Sequence, residues 1–121
     1  MKTLKTALLA LALSSTPALA QDCAAPAAPT LPDGATSSYD DMIAGMGQVK
    51  DFQAANAEYL SCLEPQIEAA KTAAMAEDAP DEAKAALMAA EKAYNDAVSV
   101  EEGIAGQFNN EIREYKAANP E

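Results

Sequence analysis

Two cysteines, nineteen carboxylates and no histidine bound the chemistry open to this chain. Without an imidazole there is no Ser-His or Cys-His nucleophile pair, and no histidine-ligated metal. Cys23 and Cys62 are the only thiols. In an exported chain two cysteines most often pair, and pairing removes the thiol nucleophile; the alternative is two free thiols. Carboxylate pairs abound, but a catalytic carboxylate needs a pocket that shifts its pKa. The helical hairpin read below offers no such pocket, so the chain is expected not to be an enzyme, and no cofactor is implied.

Two clusters have other chemistry. The run Glu77-Asp78-Ala79-Pro80-Asp81-Glu82 concentrates acids, yet it lacks the spacing and glycine of a calcium loop. A helix cap with a solvated turn explains it better than weak calcium binding. Gln53, Asn56 and Glu101 are polar positions on otherwise apolar seams. They form either a polar ligand or partner site or, the favoured reading, a layer that fixes helix register.

The frame that positions these residues begins after an export signal. Lys2 and Lys5, the apolar run from Ala7 to Leu13, and Ala18-Leu19-Ala20 before Gln21 have the layout of a cleaved signal peptide, cut between Ala20 and Gln21. The run is shorter than the ~20 apolar residues of a membrane span, so no stable anchor is expected after cleavage. Residues Ala20-Gln21-Asp22 before Cys23 lack the small residue that precedes a lipidated cysteine. The expected location is the periplasm, or outside the cell. Losing Lys2 and Lys5 leaves 6 Lys+Arg against 19 Asp+Glu, a net charge of −13 in place of −11. Such a surface repels phosphate backbones, which excludes nucleic-acid binding.

Residues 21–36 hold Pro26, Pro29 and Pro32 and then Asp33-Gly34. Spaced prolines remove donors and favour extended polyproline II, the alternative being a disordered leader. A helical hairpin is expected over 37–121. Ser37 or Ser38, with Asp40 and Asp41 three residues on, signals a helix start. Helix one is expected over about 37–76, with a heptad seam of Met42, Met46, Val49, Gln53, Asn56, Leu60, Leu63, Ile67, Ala70 and Ala74. Pro65 predicts a kink in it. Asp78, with Pro80 and Asp81 after it, predicts a turn at 77–79 and an N-cap for helix two, over about 80–118. The second seam is Leu87, Tyr94, Val98, Glu101, Ile104, Ala105, Phe108, Ile112 and Tyr115. The predicted fold is all-α, an antiparallel, coiled-coil-like two-helix hairpin.

About half of the hydrophobic residues are alanine, so the core is thin and wants a staple or a partner. The staple fits by length. Fourteen extended residues from Cys23 to Ser37 span about 43 Å, and the helix from Ser37 back to Cys62 spans roughly 37 Å. The Pro-rich tail is therefore expected to fold back along Phe52, Tyr59 and the alanines, tied by Cys23–Cys62. The partner is either a second copy, giving a four-helix bundle, or another periplasmic protein. Ile43, Met88 and Val100 fall off the seam and read as ordinary surface.

The segments Pro32-Asp33-Gly34, Tyr59-Leu60-Ser61-Cys62-Leu63 and Phe108-Asn109-Asn110-Glu111-Ile112-Arg113-Glu114-Tyr115-Lys116 together resemble a group of small, mostly uncharacterised exported α-helical proteins of Gram-negative bacteria. The resemblance implies export and a helical fold, and it brings no activity, cofactor or catalytic residue. The functional reading is a non-enzymatic structural or interaction protein. The alternatives are a holdase chaperone, suggested by Met42, Met46, Met75 and Met88, and a weak small-ligand or cation binder.

Overall fold

The computed structural model describes residues 22–121. The expected cleavage position at Ala20 and Gln21 lies outside the described residues. Two helices pack against each other, α1 (Tyr39–Ala74) and α2 (Asp81–Ala118), with no strand among the described residues. The cysteines are joined as a Cys23–Cys62 disulfide.

α1 starts where the sequence places a cap. The Ser38 Oγ accepts from the Asp41 N–H at 3.1 Å, and the Ser38 N–H donates to Asp41 Oδ2 at 3.1 Å. This reciprocal box satisfies two donors that the first helical turn otherwise leaves bare. The helix runs unbroken through Pro65 to Ala74. It closes with the Met75 N–H on the Lys71 carbonyl.

The second cap differs from the expectation. Asp78 is not the N-cap of α2: it sits in the turn at φ 61°, the left-handed region, which an aspartate tolerates better than most residues. In that conformation it cannot supply the extended geometry of a cap. Pro80 does, at φ −69° and ψ 158°, with no side-chain bond, and its carbonyl accepts from the N–H groups of Ala83 and Lys84. α2 ends at Asn119, whose backbone N–H and Nδ2 both donate to the Tyr115 carbonyl, with Pro120 next.

The core gathers Met42, Val49 and Phe52 from α1 with Ile104 and Phe108 from α2, and Leu31, Ile112 and Tyr115 pack on it. Its centre on α1 is turned from the expected seam. Phe52, placed on the flank by helical phase, is 5% exposed, whereas the seam residue Met46 is 37% exposed. Gly45 is also buried. The reason is a third contributor: Pro32 lies so close that a Cβ on Gly45 would come within 2.6 Å of its ring. The apolar face of α1 must therefore serve both α2 and the residues before Ser38.

Candidate functional site

Three places in the described residues bear on function: the polar pair inside the hairpin, the acidic contact at Gly34, and the open end of the two helices.

Asn56 is the most buried polar side chain, at 2% exposure. Its Nδ2 donates to the Ala97 carbonyl at 3.1 Å and to Glu101 Oε2 at 2.7 Å. A buried amide without partners costs about 1–3 kcal/mol, so these two bonds fix which turn of α2 lies opposite Asn56. Gln53 is not inside this cluster. It is half-buried one turn away and lines a shallow hollow with Leu60, Val98, Glu101, Glu102 and Ala105. Helical phase sets Gln53 and Asn56 about 60° apart on one side of α1, with Asn56 buried and Gln53 at the half-buried edge.

The Asp33-Gly34 turn docks on the last turns of α2. The Ser37 and Thr36 N–H groups donate to the Asp33 carbonyl, and the Ala35 N–H donates to its side chain. The Gly34 N–H donates to Glu111 Oε2 at 2.7 Å. Gly34 is required by space, because a Cβ there would collide with the Glu111 carbonyl and crowd the Tyr115 nitrogen. The docking brings carboxylate oxygens of Asp33, Glu111 and Glu114 within 4.8 Å of one another. This trio is the closest acidic cluster among the described residues, and it is not the 77–82 turn on which the sequence concentrates acids. It was hidden because Asp33 lies 78 positions before Glu111 in the chain.

The Asp41 carboxyl is held below its ordinary range, first by the Ser38 hydroxyl and then by the Ser38 N–H. A lowered folded-state pKa gives stability that is present above the unfolded value. It is lost as pH falls through the folded value.

A wide concavity lies at the open end. Tyr39, Met42, Ile43 and Met46 of α1 and Phe108, Ile112, Tyr115 and Lys116 of α2 line a cleft of about 780 Å³. Tyr39 is 63% exposed and Ile43 44%. Ile43, which falls off the seam in the sequence, lies at the exposed rim of this cleft. The signal was present as the i, i+4, i+7 spacing of Tyr39, Ile43 and Met46. No described helix is long and apolar enough to cross a membrane. No protein family, curated protein or solved structure matches the chain.

Proposed function

We propose that the protein is a non-enzymatic interaction protein of the periplasm or the cell exterior, which engages its partner through the open end of the hairpin. The observation that carries this reading is the apolar cleft. Tyr39, Ile43 and Met46 stand exposed on one flank of α1, beside half-buried Ile112 and Tyr115. Contiguous exposed apolar side chains around a concavity mark contact sites more often than scattered ones do. In this reading the Pro-rich residues before Ser38 act as a strap, fastened by the disulfide. The packing is coiled-coil-like, and α1 bends at Pro65, whose ring leaves the Ser61 carbonyl without its helical donor. The disulfide suits an oxidising compartment. The Asn56–Glu101 pair sets the register, with Gln53 one turn away outside it, and no metal or cofactor is called for.

The test is a photo-crosslinking residue placed at Met46 or, as a control at the far end, at Met88, followed by recovery from the native compartment. Capture at Met46 that is absent at Met88 and lost with Ile43→Asp supports the reading. Equal capture at both positions, or none, removes it. Met42 and Met46 in the cleft favour one second reading, a holdase, since methionines adapt to varied clients. Unchanged aggregation of a denaturing client in the presence of the protein would remove that reading.

A further inference from the structure

We infer that the partner at the open end is a second copy of this chain, related by a two-fold axis that runs along the helices. This rests on the interaction reading above and names its occupant. Asn56 bonds both Ala97 and Glu101, so residues that lie level across the hairpin have numbers summing to about 155. Two helical stripes on the flank away from Pro32 then match position by position. On α1 the stripe is Tyr39, Ile43, Met46, Lys50, Gln53; on α2 it is Lys116, Ile112, Asn109, Ala105, Glu102.

Both stripes recur at alternating steps of three and four, the spacing of a helix-packing seam. Within one copy they line the same flank, sharing the open-end cleft and the hollow at Gln53, and seven of the ten are exposed while Gln53, Ala105 and Ile112 are half-buried. A two-fold axis parallel to the helices lays α1 of one copy against α2 of the other and keeps each residue at its level. Ile43 then meets Ile112 of the second copy. Long Lys50 lies over small Ala105 and reaches Glu102. Lys116 reaches Asp40 and the Tyr39 ring. Every cation on these stripes thus finds an acid, which matters in a chain of net charge −11.

The match stops farther toward the turn, where Glu64 is level with Glu91 and Lys71 with Lys84. The contact is therefore confined to the open half, and the dimer is small and concentration-dependent. An antiparallel arrangement sets α1 against α1 and loses these pairings.

Sedimentation velocity over a wide concentration range tests the proposal, using the oxidised chain. The wild type is expected to dimerise. Lys50→Glu and Glu102→Lys should each weaken dimerisation by about fivefold, and the double reversal should restore it. Glu102→Lys is the decisive arm, because it lowers the net repulsion between copies and yet is expected to weaken the dimer. Both positions are exposed, so neither change threatens the fold. A chain that stays monomeric at every concentration overturns the second copy as occupant. So does a dimer that ignores Ile43→Asp, or one that Glu102→Lys tightens. If capture at Met46 of a different protein persists while the chain is monomeric, the interaction reading stands and this inference alone fails.

Discussion

Asn56 shows how one side chain can set the alignment of two helices. Its amide spends both contacts as a donor, to a carbonyl and to a carboxylate. Its replacement by alanine is expected to cost about 1–3 kcal/mol in urea denaturation. Asn56→Asp tests the donor role more sharply. It is nearly isosteric, but it sets a buried carboxylate against Glu101 and the Ala97 carbonyl. Burial and like charge raise its folded-state pKa, so the penalty is largest at neutral pH and shrinks as pH falls and the acid protonates. Asn56→Asp should therefore be less stable than Asn56→Ala at pH 7, with the gap closing in acid. Asn56 and Glu101 stood out in the sequence because each broke an apolar repeat. Gln53 broke it equally and yet lies outside the pair, because period counting resolves a face but not which of two adjacent polar residues turns inward.

At the scale of the elements, the two helices were legible to within about two residues at each boundary, since serine, proline and asparagine punctuate them by local chemistry. What the sequence did not show was the rotation of α1. The seam was drawn for two helices, whereas Leu31 and Pro32 claim part of the same face, and small Gly45 is what admits Pro32. Glycines here divide by surroundings. Gly34→Ala is expected to destabilise by about 1–3 kcal/mol, because its Cβ has no room against the α2 backbone. Gly47→Ala, in α1 with open space at its Cβ, should stabilise by roughly 0.5–1 kcal/mol. Thermal melts of the two variants check both signs.

For the whole molecule, the thin core makes the covalent link important. Cys23 and Cys62 are 39 residues apart. Closing a loop of that length stabilises by about 3–4 kcal/mol on the chain-entropy view, a sizeable share of a small domain's total. Reduction, or the paired change Cys23→Ser with Cys62→Ser, is expected to lower the melting temperature by well over 10 °C, since each kcal/mol is worth about 4–8 °C in a domain of this size. An unchanged transition would show that the residues before Ser38 contribute little to stability.

The placement of Leu31, Pro32 and Gly34 along one side of the hairpin also bears on stoichiometry. A bare two-helix hairpin has two equivalent flanks and can add copies on both, growing into a sheet or fibre of helices. Here Pro32 occupies one flank at Gly45, and Gly34 is bonded to Glu111. The opposite flank is left uncovered by these residues, so the dimer inferred above would use that one side and close at two copies.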